Sequence, residues 1–273
     1  MTRQSERELL ARGRTAEVYA WADNQILKLF FDWCPPEWIQ AEVQVGRLLA
    51  STSLPTPRLM ETISLEGRQG IIFDRVEGPS MLSLLGTSPW LLSRAAHQFA
   101  ELHSAIHAIT SSNLPSLHSH LRISISTTDL LPALVRDHAL AALISLPDGH
   151  ALCHFDFHPD QVALTRQGPM ILDWMTARRG HPLADVARTS ILIAFAQAPY
   201  ANWLMRTATD LVRKAFRSQY LRRYAQLHPG FRLDDLHRWM VPVAAARIAE
   251  NVPGEHDQIL AFLEHSLVHP MAA

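Results

Sequence analysis

Apolar and polar positions along the chain fall into two regimes. Over residues 8–12, 17–21 and 25–31, short runs rich in β-branched, aromatic and long apolar residues predict three strands, with Ala22-Asp23-Asn24 as the hairpin turn before the third. Pro35-Pro36 then opens a helix, since proline is tolerated in the first turn; its apolar stripe is Ile39, Val43, Gly46 and Leu49-Ala50. Residues 58–65 and 70–75 predict two more strands joined at Glu66-Gly67, so the order up to this point is β-β-β-α-β-β. Gly78-Pro79 breaks the chain. Beyond it helical periodicity dominates, over 80–85, 89–109, 127–144, 182–198, 203–227 and 233–251, with a shorter helix after Gly254. Residues 151–173 interrupt this with short strands, loops and a Gly168-Pro169 turn. The expected architecture is an α+β, bilobal chain: residues 1–77 form a small β-rich lobe and residues 78–273 a larger, mainly helical one.

Composition narrows the function classes. A formal net charge of −1 over 273 residues is no electrostatic footprint for nucleic acid, and no Lys/Arg cluster is dense enough for a membrane surface. The longest apolar stretches, such as 191–196, are too short to span a bilayer, and the first residues carry charges of both signs without an apolar core. Cys34 and Cys153 make no disulfide framework, which fits a reducing cytoplasmic compartment. Of 25 basic residues only Lys28 and Lys214 are lysines. A lysine kept in such an arginine-biased chain is a candidate for work that needs a compact ammonium.

The densest chemistry lies in His154-Phe155-Asp156-Phe157-His158-Pro159-Asp160-Gln161. If extended, the segment puts His154, Asp156 and His158 on one side. Two imidazoles and a carboxylate there suit zinc or iron. An aspartate that takes a proton from an acceptor hydroxyl is an equal reading of the pentapeptide. The surroundings favour the second. Gln161 follows Asp156 by five residues, the spacing of catalytic Asp and metal-binding Asn in kinase loops. A hairpin over 162–172 then delivers Asp173, a second hard oxygen donor for a nucleotide-bound Mg²⁺. In the first lobe, Lys28 lies mid-strand and Glu42 follows on the next helix, matching a phosphate-holding lysine ion-paired to a helix glutamate. Glu37 is the rival on that helix, and Glu42 is preferred because it lies deeper. The Gly13-x-x-Ala16 turn between the first two strands stands where a loop would cover phosphates.

Together these residues resemble the aminoglycoside phosphotransferase family, bacterial relatives of the protein kinases that include choline kinases. Its pattern is His-Gly-Asp-(Phe/Leu)-His-Pro-x-Asn, then Ile-Asp-Trp or Ile-Asp-Phe, then Gly-Asp-Pro-x-x-Asp-Leu-Ala. Here these read His154 to Gln161, Leu172-Asp173-Trp174, and Gly180-His181-Pro182-Leu183-Ala184-Asp185-Val186-Ala187. The resemblance implies a protein-kinase-like fold and an ATP- (or GTP-) and Mg²⁺-dependent transfer of the γ-phosphate to a hydroxyl of a small molecule. It implies Asp156 as catalytic base, Asp173 and Gln161 as metal ligands, and Lys28, Glu42 and Gly13 at the nucleotide. A hinge from Phe73 to Glu77 would meet the base, and His154, His158 and Asp185 would support the loop. Two positions depart from the pattern: Gln161 replaces asparagine and Phe155 replaces glycine. They motivate the alternative of a nucleotide-binding pseudokinase that senses or scaffolds. A His/Asp metallohydrolase ranks third.

The acceptor is less legible. From Ile191 onward seven acids face nine bases, a poor lure for a polycation. Trp203, Tyr220, Tyr224, Trp239 and Phe262 are candidates to line an apolar or sugar-like pocket, suiting a neutral or weakly charged hydroxylated acceptor.

Overall fold

The computed structural model describes residues 7–195 and 203–268, with the side chains of Trp203 and Leu204 left out. The chain divides into two compact units: residues 1–84 with 159–177, and residues 85–158 with 178–273.

The first unit is built on a five-stranded antiparallel sheet of β1 (Leu9–Arg12), β2 (Ala16–Ala20), β3 (Gln25–Phe30), β4 (Leu59–Leu65) and β5 (Arg68–Asp74), in the order β1-β2-β3-β5-β4. Helix α1 (Pro36–Leu49) follows β3. Alternation along β3 sorts its side chains. Leu27 and Leu29 join Ile72 on one face, covered by Tyr19, Trp21, Ile63 and Leu65. Phe30 joins Ala16 and Ile71 on the other face, against Cys34, Ile39 and Val43. Lys28 shares the parity of Phe30 and therefore the face that meets α1. Both cysteines are buried and free.

A second hairpin, β7 (Val162–Thr165) and β8 (Gly168–Ile171), belongs to this unit. Gly78-Pro79 does break the chain, but the segment beyond it stays attached: Leu164 donates its N–H to Pro79 O at 2.8 Å, and Ser80 bridges to Ala163. Gly78 has φ +150°, and a Cβ there would sit 2.2 Å from Leu164 O, so no other residue fits. Helix α2 (Met81–Thr87) contains the division between the units.

The second unit contains α3 (Leu92–His107), α4 (Leu117–Thr127), α5 (Ala133–Ile144), α6 (Pro182–Phe195), α7 (Trp203–Leu227), α8 (Leu233–Ala249) and α9 (His256–Val268). A two-stranded ribbon joins β6 (Ala151–Cys153) to β9 (Arg178–Gly180). Helix α4 was not expected from the sequence. Its buried residues Leu117, Leu121 and Ile125 recur every four positions, but serines, histidines and isoleucines dilute the helical signal. Ser116 caps it by accepting the Ser119 N–H. The helix expected over 127–144 starts only at Ala133, because Pro132 fits just before the first turn. The helix expected over 182–198 is present to Phe195, and its last three residues lie outside the described ones. Among the described residues, no helix is long and apolar enough to cross a membrane.

Candidate functional site

Within the first unit, Lys28 is the hub. Its ammonium donates to both Glu42 oxygens, at 2.8 and 3.0 Å, and to Asp173 Oδ1 at 2.8 Å. Glu42 is chosen over Glu37 by helix phase: Glu42 is buried with Ile39 and Val43, whereas Glu37 is exposed in the first turn. Burial alone would push the Lys28 ammonium down, but the Asp173 and Glu42 carboxylates outweigh it and hold the lysine charged. Burial pushes the Glu42 carboxyl up, while Lys28 pulls it back.

Asp173 arrives by the β7–β8 hairpin. Val162 pairs with Ile171, and Leu172 donates its N–H to Gln161 O at 2.9 Å, so Gln161 and Asp173 flank the same end of the hairpin. Asp173 has φ +58°, a left-handed turn that aspartate tolerates better than most side chains. Its side chain is 44% exposed. Gln161 sits on a 3₁₀ turn, Pro159–Gln161. A carboxylate and an amide carbonyl are hard donors, so this pair fits Mg²⁺. Gly13 lies in the exposed β1–β2 turn, its N–H donating to Ala16 O. Phe73 pairs with Ile26 across β3–β5 and packs on the α1 side of the sheet. Glu77 is exposed and pairs with Arg75 at 3.2 Å.

In the second unit, the segment from His154 to His158 is not extended. Phe155 has φ +61°, which breaks the alternation that would have aligned His154, Asp156 and His158. His154 is fully buried, whereas Asp156 and His158 are each 28% exposed, with His158 Nε2 3.8 Å from Asp156 Oδ2. Among the described residues the one grouping with metal-ligand spacing is His103, His107 and Asp185. The ligand triad expected for a metallohydrolase is therefore not assembled.

One face of α6 grips the loop instead. Asp185 accepts the backbone N–H groups of His154 at 2.6 Å and Phe155 at 2.8 Å. One turn on, Arg188 Nε donates to Phe155 O at 3.2 Å and Thr189 Oγ1 donates to Phe157 O at 2.8 Å. Spacing of i, i+3 and i+4 puts the three side chains on one helical face. Two histidines back Asp185 from α3: His107 Nε2 lies 3.3 Å from Oδ2, and His103 Nε2 lies 3.2 Å from the same oxygen. Their other ring nitrogens meet Tyr224 and Tyr220 hydroxyls at 2.7 Å each. Burial would raise the Asp185 carboxyl, yet His103 and His107 hold it far below the usual range. Asp185 was expected from its motif. Arg188, Thr189, His103 and His107 were not, although the helical offset from Asp185 marks the first two.

The aromatic residues expected to line an acceptor pocket go elsewhere. Tyr220, Tyr224 and Trp239 are core side chains, and Phe262 is half-buried with its ring 6.3 Å from Phe195. The Trp203 side chain lies outside the described residues.

A family model described as the phosphotransferase enzyme family matches residues 6–233, and the chain belongs to that family. No curated protein matches the chain by sequence. Among solved structures, the aminoglycoside-3'-phosphotransferase of type VIII aligns with TM-score 0.64 at 16% identity, over 88% of this chain and 93% of that one. An amicoumacin kinase, in complex with AMP-PNP, Ca²⁺ and Ami, aligns with TM-score 0.64 at 13% identity, over 97% and 88%. A choline/ethanolamine kinase family protein from Mesorhizobium loti aligns with TM-score 0.59 at 18% identity, over 98% and 89%. At these identities the likeness is one of fold: α+β and kinase-like.

Proposed function

We propose that this phosphotransferase moves the γ-phosphate of ATP or GTP to a hydroxyl of a small molecule. The observation that carries the reading is the Lys28 ammonium held between Glu42 and Asp173, the arrangement that positions nucleotide phosphates in kinases. Residues 1–77 serve as the nucleotide-binding lobe, with Gly13 over the phosphates and Phe73 to Glu77 beside the base. Residues 78–273 carry the catalytic loop and the acceptor region. Asp156, partly exposed beside His158, orients the acceptor hydroxyl and takes its proton. Asp173 and Gln161 would hold Mg²⁺, which when bound neutralises charge on the transferring phosphates. His154, His158 and Asp185 keep the loop in place. A cytoplasmic setting belongs to the same reading, supported by two free cysteines.

The test is nucleotide hydrolysis without acceptor. Slow turnover is expected, lost in Asp156→Ala and in Asp173→Ala; a purified chain that binds no nucleotide overturns the reading. Mass spectrometry of pooled hydroxylated compounds, incubated with ATP and Mg²⁺, then finds the acceptor by a gain of one phosphoryl group. The second reading, a nucleotide-binding pseudokinase, is favoured by Gln161, whose extra methylene displaces the amide donor, and by the left-handed Phe155. Gln161→Asn separates the two: activity appearing where the parent had none establishes the pseudokinase.

A further inference from the structure

The peptide unit that joins Phe155 to Asp156 is held at both ends. Its carbonyl, Phe155 O, accepts Arg188 Nε at 3.2 Å, and its N–H, that of Asp156, donates to His154 Nδ1 at 3.3 Å. The unit is planar, so its tilt fixes ψ of Phe155 and φ of Asp156 together. That tilt sets the direction in which the Asp156 side chain leaves the backbone. Arg188, however, is a long side chain with many rotamers, and its place on α6 does not by itself aim the Nε–H.

Glu250 supplies the missing constraint. Arg188 Nη2 donates to Glu250 Oε2 at 3.0 Å, and Nη1 lies 2.7 Å from Oε1. Because the guanidinium is planar, holding both Nη atoms against one carboxylate also orients the Nε–H. Glu250 is held in turn by Arg247, whose Nη1 donates to Oε2, so both of its oxygens are committed. Arg247 Nε and Nη2 grip Glu255 at 2.7 and 2.9 Å. A tight connection makes this chain possible: Glu250 caps α8, Asn251 has φ +50°, Gly254 has φ +80°, and α9 starts at His256. Arg188, Arg247 and Glu255 are buried. Two arginines and two glutamates cancel, as charges withdrawn from water must. Burial would raise the Glu250 carboxyl, but Arg188 and Arg247 hold it below its usual value.

We propose that Glu250 is a positioning residue for phosphoryl transfer: through Arg188 it sets the Phe155–Asp156 peptide and so aims the Asp156 carboxylate at the acceptor hydroxyl. This deepens the phosphotransfer reading and rests on it. Lys28 and Asp173, the nucleotide side of that reading, belong to the other compact unit. Glu250 should therefore govern turnover and leave nucleotide affinity alone.

The test is nucleotide hydrolysis without acceptor by the full chain, below the unfolding midpoint of every variant. E250Q should lower kcat at least about tenfold, because a misplaced catalytic group is costly, with KM for ATP within about twofold. E255Q is the control. It removes the other partner of Arg247 and should lower the unfolding midpoint, yet keep kcat within about twofold because Arg188 retains Glu250. Hydrogen exchange reads the loop directly: the Asp156 amide should exchange faster in E250Q and at the parental rate in E255Q. E250D keeps the charge on a shorter side chain and should fall between the parent and E250Q in kcat; it takes over the comparison if E250Q does not fold. The inference is overturned if the Glu250 variant keeps the parental kcat, if KM moves as much as kcat, if E255Q lowers kcat equally, or if the Asp156 amide is unaffected. A parent that turns over no nucleotide defeats the phosphotransfer reading and this inference with it, whereas parental turnover unchanged in the Glu250 variant defeats this inference alone.

Discussion

Asp185 accepts the Phe155 N–H at 2.8 Å and that of His154 at 2.6 Å, and so holds Phe155 at φ +61°. A left-handed conformation costs an L-residue roughly 1–2 kcal/mol. The cost is offset by burial of the ring, 3% exposed between His120 and Arg188.

Backbone strain and ring packing at Phe155 separate in two variants. Phe155→Ala should lose about 3–5 kcal/mol of stability through the cavity it leaves. Phe155→Gly loses the same ring but relieves the left-handed backbone, so it should be the more stable of the two by about 1 kcal/mol. Urea midpoints at unchanged m-value measure this. Equal midpoints would show that φ +61° is not strained in the folded chain.

Asp185→Ala leaves two buried backbone donors and the buried His107 ring without their common acceptor. A loss of roughly 3–5 kcal/mol is expected, the range for breaking a buried polar cluster on one side. Hydrogen exchange at the Phe155 amide should accelerate with it. Asp185→Asn keeps an oxygen and should lose less.

Lys28 and Glu42 should behave as one device. Lys28→Met is expected to cut kcat/KM about 10²–10³-fold, the scale for removing one preorganised electrostatic contact. It should also destabilise the chain, because Glu42 and Asp173 are left without their shared cation. Adding Glu42→Gln to Lys28→Met should restore stability without restoring activity. That non-additivity is read from unfolding midpoints and initial rates together.

Acid stability follows from the buried histidines. Burial, and after it the charge of His107, pushes His103 from 6.5 to about 4. Burial, and after it the charge of Arg178, lowers His120 to about 4 as well. Both folded values lie below the unfolded one, so between these limits the unfolded chain binds protons that the folded chain refuses. Stability should be full above pH 6.5 and fall as pH drops towards about 4, by roughly 1.4 kcal/mol per pH unit for each histidine. Denaturant midpoints across this window test it, and His120→Gln should flatten the slope.

Much of the site could be read from residue types and spacing. Lys28 stood out because lysine is scarce in this chain and because it lies mid-strand, and Glu42 was preferred over Glu37 because it lies deeper in the helix; strand face and helix phase, which bring the two together, came from the fold. The spacing of Asp156 and Gln161, and the hairpin that ends on Asp173, are local relations that survive without knowledge of the fold. The line-up of His154, Asp156 and His158 failed for a non-local reason. The backbone turn at Phe155 is imposed by a carboxylate thirty residues later.

Local sequence determined the β-β-β-α-β-β order, the ion pair and the loop's chemical inventory, because periodicity and short-range spacing act within a few residues. Tertiary structure decided the rest. Strand β9 forms by pairing with β6 and bridging Ser116, α6 clamps the loop with Asp185, Arg188 and Thr189, and Tyr220, Tyr224 and Trp239 went to the core.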